Sequence, residues 1–146
     1  MRLLPAGQPI HEMWLRLTVD TTATIVAAQA VTDAGPYGQA CSSIAPDYQQ
    51  LVGLQVARGY RDAVRRLFGR TAGCTHMNEL AGVMGSAVLQ AMWHVLASDP
   101  AVKPFSIDGC HALKSSGPQV AVHFPRWYRP EPADAAAGTQ PGCAGT

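Results

Sequence analysis

Charged residues are scarce in this chain of 146 residues, and their charges almost cancel. They make up 14% of the sequence, with 11 Lys and Arg against 10 Asp and Glu. A nucleic-acid-binding protein needs clustered basic residues to neutralise phosphates, and the single dense cluster lies at residues 58–70. The composition therefore argues against nucleic-acid binding. With 47% hydrophobic residues, a chain of this length can bury a core, so we expect one folded domain.

Cysteine is also infrequent, and several common motifs are missing. The four cysteines form no CxxC pair and are too few for a disulfide framework, so we expect a protein of the reducing cytoplasm. No apolar stretch typical of a secretory signal occurs in the first residues. The nucleotide-binding motifs GxGxxG and P-loop are absent, as is the GxSxG of α/β-hydrolases, and the sequence supports neither class.

One uncharged segment, residues 80–98, is long enough to be weighed as a membrane span. It contains Gly82, Ser86, Gln90 and His94, which is too much polar content for a helix surrounded by lipid. We therefore expect a central buried helix here and no membrane association. A helix that docks a partner is the alternative.

Hydrophobic periodicity predicts a hairpin followed by helices. Residues 11–19 alternate between apolar and polar, which is typical of a half-buried strand, and residues 24–31 are its expected partner. Three helices are predicted, the first from proline in its first turn, the second from an apolar face and the third from an N-cap before an apolar run. They cover residues 43–52, with Pro46 in the first turn, residues 59–68, and a long apolar segment that begins after its N-cap Thr75.

The remaining chain is less regular. A short strand is the expectation for residues 119–124. Proline, glycine and alanine then dominate, so residues 1–128 are the predicted domain and residues 129–146 a disordered tail. The arginines of the second helix are expected to form a solvated face, with an anionic-ligand or partner patch as the alternative.

The strongest candidate site is the segment 73–79, where soft and ionisable groups follow a glycine loop. Cys74 opens the predicted helix, where unpaired backbone N–H groups and the positive end of the helix dipole favour a thiolate. His76 and Glu79 share a helix face, so the carboxylate can orient the imidazole. These three are the predicted catalytic residues, with Cys74 as nucleophile or His76 as acid/base. An inert thiol at a capped helix is the alternative.

A second candidate, Cys41, also follows a Pro/Gly loop and opens a helix. Together with His11 before the first strand, the set Cys41, Cys74, His76 and His11 has the nitrogen and sulfur chemistry that suits zinc or iron. The spacing is not a zinc signature, and Cys41 taken alone is also typical of a structural cysteine. A third polar cluster at residues 108–111 contains Cys110 and His111, with an exposed loop histidine as the alternative.

Several uncommon stretches in one order resemble a bacterial family known as the domain of unknown function 2889 family. They lie between residues 9 and 113. They read PIHEMWLRLTVD from Pro9, PY from Pro36 with CSSI from Cys41, LVGL from Leu51, GCTH from Gly73 with EL from Glu79, and CHAL from Cys110. The resemblance implies no activity.

The order of elements is also similar to that of NifU-type iron–sulfur scaffold proteins and SufE-type sulfur acceptors. In those folds a hairpin sheet precedes a cysteine that opens a helix, and a later cysteine opens a long C-terminal helix. The resemblance matches Cys41 to the middle scaffold cysteine and Cys74 to the last. The first scaffold cysteine has no counterpart before the first strand, where His11 could supply a ligand instead.

The sequence thus predicts an α+β domain, a small antiparallel β-sheet packed on one face by three helices in a NifU/SufE-like arrangement. Three functions follow. The first is a metal-binding or sulfur-handling module that holds zinc or iron. The second is a metal-independent enzyme that uses Cys74 and His76. The third is a non-catalytic accessory subunit that docks a protein partner or a second copy of the chain.

Overall fold

A β-hairpin begins the fold. In the computed structural model, which describes residues 3–132, strand β1 (Glu12–Val19) pairs antiparallel with strand β2 (Ile25–Ala34). Burial alternates along β1, as its alternating sequence predicts, and its half-buried side chains pack against the core. β2 continues beyond the predicted end at residue 31 because Ala34 still pairs with Glu12.

Asp20 holds the turn of this hairpin. Its carboxylate accepts hydrogen bonds from the Thr22 hydroxyl (2.7 Å) and from the backbone N–H groups of Thr22 (2.9 Å) and Thr24 (3.0 Å). These bonds, led by that of the hydroxyl, favour the ionised form and lower the pKa of Asp20. The turn therefore sets the register in which the half-buried side chains of β1 face the core.

Four α-helices and two 3₁₀ helices follow the hairpin within residues 3–98. The α-helices are α1 (Gln39–Ser42), α2 (Tyr60–Phe68), α3 (Thr75–Ala91) and α4 (Trp93–Leu96), and the 3₁₀ helices are Ala45–Leu51 and Arg70–Ala72. α2 is amphipathic as predicted, because it buries Tyr60, Val64 and Phe68 and exposes its arginines. α3 packs against both α2 and β1.

The core lies between the hairpin and these helices. A two-stranded hairpin is marginally stable by itself in water, so it needs this cover. At the centre, the rings of Tyr48 and Phe68 stack with centroids 4.2 Å apart. The largest fully buried side chains in residues 3–98 are Tyr48, Phe68, Ile25, Leu51 and Met77.

Three predictions of local structure are wrong. In place of the helix expected at residues 43–52 there is a 3₁₀ helix at Ala45–Leu51, whose first turn contains Pro46 as expected, and α1 ends just before it at Ser42. The N-cap of α3 is Cys74, one residue before Thr75. Residues 119–124, expected as a strand, form most of helix α5 (Pro118–His123), which has proline in its first turn and buries Val120.

The long apolar helix is shorter and less buried than expected. α3 ends at Ala91, and Met92 separates it from α4. It buries one face, which includes Met77 and Ala81, while Val83 is 56% exposed. Within residues 3–132, no helix has the length and apolarity needed to cross a membrane.

The described chain falls into two compact units, which divide between Ser98 and Asp99. The second unit contains α5 and two 3₁₀ helices at His111–Leu113 and Pro125–Trp127. The single domain expected over residues 1–128 stays a prediction. Of the expected tail, residues 133–146 lie outside the described residues.

The fold class is α+β, as predicted. In the part of the chain that the structure describes, the sheet is the β1–β2 hairpin, and helices cover it. The likeness to NifU- and SufE-type proteins is not confirmed and stays a prediction.

Candidate functional site

Two predicted site residues, His11 and His76, meet in the folded chain. Their ring centroids lie 3.9 Å apart, and the ring planes are tilted by 33°. His11 immediately precedes β1, and His76 lies in the first turn of α3. Because α3 packs against β1, the two imidazoles come together although they are far apart in the sequence. Both side chains are exposed, so a ligand can reach them.

Cys41 lies at the same end of the hairpin as His11. It is half-buried in α1, and its Sγ lies 2.9 Å from the position that a Cβ on Gly35 would occupy. Gly35 follows Ala34, which pairs with Glu12 next to His11. Only glycine therefore leaves room for the Cys41 side chain at this edge of the hairpin.

Cys74 is placed by its backbone rather than by its thiol. Its N–H donates a hydrogen bond to the Tyr48 hydroxyl (3.2 Å), which donates in turn to Asn78 Oδ1 (2.6 Å). Asn78 Nδ2 donates to the carbonyl of Phe68 (2.7 Å), so the loop before α3 is fixed at both ends. The half-buried Cys74 side chain packs against the hydrophobic core.

Burial has a strong effect on the tyrosine in this network. It raises the pKa of Tyr48 to about 12, whereas the hydrogen bond with the backbone of Cys74 lowers this pKa and only partly offsets the effect of burial. Tyr48 stays a neutral hydroxyl at physiological pH and can serve as donor and acceptor at once. Sequence reasoning missed Tyr48 and Asn78. No local signal was available, because Tyr48 stands between Asp47 and Gln49 in the sequence and its burial follows from the tertiary structure.

Glu79 is not coupled to His76 in the expected way. Between these two residues, both in the described part of the chain, there is no hydrogen bond or ion pair, and Glu79 lines a groove between α2 and α3. The expected orientation of the imidazole by this carboxylate therefore has no hydrogen bond behind it in the described residues. The roles of Cys74, His76 and Glu79 in catalysis stay predictions.

The four residues predicted to bind a metal are only partly assembled. Among residues 3–132, no group of three or more His, Cys, Asp or Glu side chains is close enough to hold a metal ion. His11 and His76 are in contact, and Cys41 and Cys74 do not complete a closed site with them. The arrangement offers two imidazoles at the surface and no enclosed sulfur-rich cage.

Comparison with protein families decides the relationship of this chain. The family model described as Protein of unknown function (DUF2889) matches residues 1–90. The chain belongs to the DUF2889 family. No curated protein and no solved structure matches it significantly.

The DUF2889 match covers β1, β2, α1, α2 and most of α3. It therefore includes His11, Cys41, Cys74, His76 and Glu79, the five residues singled out from the sequence. The third cluster, at residues 108–111, lies beyond the match and belongs to the second unit.

In that second unit Asp108 has structural partners. Its carboxylate accepts hydrogen bonds from Lys103 Nζ (2.7 Å) and from the backbone N–H of Ser115 (2.8 Å). The Lys103 hydrogen bond is the main reason that the pKa of Asp108 falls to about 2. Cys110 and His111 are exposed.

Proposed function

We propose that this DUF2889 domain is a metal-binding module in which His11 and His76 supply two imidazole ligands to a zinc or iron(II) ion. The observation that carries the proposal is the contact between the two rings, with centroids 3.9 Å apart. Imidazole is a common ligand of both metals. His11 lies just before β1 and His76 lies on α3, so tertiary packing and not local sequence creates the pair.

To bind one ion, the two rings must both separate and turn so that one nitrogen of each faces the ion. With Zn–N bonds of about 2.0–2.1 Å and a tetrahedral angle, two coordinating rings have centroids roughly 5 Å apart. The rings of His11 and His76 would have to separate by roughly 1 Å to reach this distance. Both are exposed, and surface side chains change rotamer readily, so this movement does not disturb the core.

Two protein ligands leave coordination positions open. An ion held by two imidazoles would take its remaining ligands from water or from a bound molecule. Such open positions are typical of catalytic metal sites, whereas structural sites are closed by protein ligands. Cys41, at the same end of the hairpin, would become a third ligand only after a movement, because residues 3–132 contain no group of three ligand side chains close enough to hold a metal ion. The domain should fold without the metal, because its core is built from apolar side chains.

A cobalt titration tests this proposal. Co²⁺ substitutes for zinc and reports its ligands by its absorption spectrum, and zinc affinity follows from competition. We expect about one ion per chain in the wild type, and at least a tenfold loss of affinity in His11→Gln and in His76→Gln, since each removes one of the two imidazoles. The matched control is His94→Gln, an exposed histidine on α4.

The outcomes separate the three functions considered from the sequence. An equal loss in His94→Gln, or unchanged affinity in His11→Gln, refutes the two-histidine site. Loss of binding in Cys41→Ser as well identifies the third ligand, whereas Cys74→Ser should leave affinity unchanged because that thiol packs against the core. No binding in the wild type leaves the thiol enzyme and the accessory subunit as the remaining candidates.

A further inference from the structure

A groove between α2 and α3 concentrates positive charge on a protein that is nearly neutral. It consists of two adjoining cavities of about 370 and 400 Å³, which share Arg61 and Arg65 in their walls. Arg70 lines the smaller one as well. Two carboxylates also line the groove, Asp62 in the larger cavity and Glu79 in the smaller, so the excess of arginine is greatest in the smaller cavity.

Among the described residues, the arginines of the groove have no strong ion-pair partner. Arg65 lies 3.5 Å from Asp62, and both side chains are largely exposed, so this pair is weak. Over residues 3–132, Arg61 and Arg70 form no ion pair, and Glu79 is the one carboxylate in the wall of the smaller cavity. Three guanidinium groups around one small space repel each other, and an anion placed among them would remove that repulsion.

The backbone brings the third arginine to this place. After α2 the chain turns so sharply that a Cβ on Gly69 would lie 2.4 Å from the carbonyl oxygen of Arg65. Only glycine fits there, and the turn carries Arg70 back beside the last turn of α2. Arg70 itself has a φ of 58°, in the left-handed region that residues other than glycine seldom adopt.

Two glycines of α3 line the groove, and packing requires glycine at only one of them. A Cβ on Gly85 would lie 2.8 Å from the Tyr60 ring, so the contact between α2 and α3 requires glycine at that position. A Cβ on Gly82, one turn earlier in α3, would meet no atom within 4 Å. Glycine in the middle of a helix destabilises it relative to alanine, and nothing within the fold demands it at position 82. Because Gly82 lines the smaller cavity, a larger side chain at this position would narrow that cavity.

From these observations we infer that the α2–α3 groove binds a phosphate monoester of a small organic molecule. Guanidinium groups bind phosphate through paired hydrogen bonds, which accounts for Arg61, Arg65 and Arg70 around the smaller cavity. The adjoining cavity is lined partly by Tyr60, Gly85 and Leu89, which suit the organic part of the ligand. Arg61, Asp62 and Arg65 also line it. Cavities of this size are typical of small-molecule sites.

The groove is separate from the histidine pair. Neither His11 nor His76 lines it, so the inference does not depend on the proposed metal site. Glu79 lines the smaller cavity, and its carboxylate can accept a hydrogen bond from a hydroxyl of the organic part of the ligand.

Calorimetric titration of the full chain with phenyl phosphate and with ribose 5-phosphate tests this inference, with inorganic phosphate as reference at matched ionic strength. We expect at least one monoester to bind ten times more tightly than inorganic phosphate. Arg61→Gln and Arg70→Gln should each weaken that binding at least tenfold. Arg66→Gln is the matched control, because Arg66 lies exposed on the same helix and does not line the groove.

A Gly82→Leu variant tests the cavity itself, since its side chain would narrow the smaller cavity. With an unchanged circular dichroism spectrum, it should abolish binding. The inference is overturned if neither monoester exceeds inorganic phosphate, or if Arg66→Gln weakens binding as much as Arg61→Gln. Unchanged affinity in a folded Gly82→Leu variant would also overturn it, because the ligand would then lie elsewhere.

Discussion

Alanine substitution of two glycines on α3 should have opposite effects on stability. At Gly82 the new methyl group meets no atom within 4 Å, so the gain in helix propensity should stabilise the first unit by about 0.5–1 kcal/mol. At Gly85 the same gain applies, but the methyl group would lie 2.8 Å from Cδ1 and 3.3 Å from Cε1 of Tyr60. Tyr60 is 3% exposed, so its ring has little room to move.

The difference between the two variants isolates the packing effect. Overpacking a core costs about 1–3 kcal/mol, and because the propensity gain is common to both, Gly85→Ala should be less stable than Gly82→Ala by about this amount. Urea unfolding followed by circular dichroism measures the difference, and equal m-values would show that the unfolded state is unchanged. For a domain of this size, each kcal/mol shifts the Tm by roughly 4–8 °C.

Equal stability of the two variants would refute the close approach of Tyr60 to α3. Replacing Tyr60 by a smaller residue provides a second check of this contact. In a Tyr60→Leu background the penalty of Gly85→Ala should shrink, whereas that background should not alter the effect of Gly82→Ala.

Three further predictions concern hydrogen bonds and ionisation. Tyr48→Phe leaves Asn78 Oδ1 without its donor and should destabilise the fold by about 1–3 kcal/mol in urea unfolding; Tyr37→Phe, at a site 77% exposed, is the control and should have no effect. Because burial raises the pKa of Tyr48 from 10.0 to about 12, its stabilising contribution is complete below pH 10 and is lost as the pH rises towards 12. Ultraviolet titration of wild type and Tyr48→Phe should show this late ionisation, and a Tyr48 that ionises near pH 10 would contradict its burial. The pKa of Asp108 is lowered from 3.8 to about 2 by the Lys103 hydrogen bond, so its contribution is present above pH 3.8 and is lost as the pH falls through about 2. In an NMR titration, Lys103→Met should raise that pKa towards 3.8, and an unchanged value would show that the lysine is not its partner.

Local patterns were sufficient for the elements that depend on a short stretch of chain. Strand β1 follows from a period of two, and α2 from an amphipathic period of 3.6, because each pattern is complete within one element. The wrong predictions arose where the structure of a segment depends on more than its own pattern. Residues 119–124 have the alternation of a short strand, but a strand needs a partner strand, and Pro118 starts a helix there.

The candidate site divides in a similar way. The sequence singled out His11 and His76 by residue type and by position at element ends, but it could not state that their rings touch. It also grouped Cys74 with them, whereas the fold turns that side chain towards the core. A cysteine at a helix start has the same local sequence in both cases, so the pattern alone does not distinguish a reactive thiol from a packed one.

The sequence by itself thus determined the α+β class, the hairpin, the amphipathic helix α2 and the family, since all of these depend on the order of residues along the chain. The tertiary structure alone decided two contacts, the His11–His76 pair and the Tyr48–Asn78 hydrogen bond, and one surface feature, the arginine-lined groove between α2 and α3. Each joins residues of separate elements, and their distances are set by how helices pack on each other and on the hairpin. Periodicity specifies which face of an element is buried, and only the packed core fixes what that face meets.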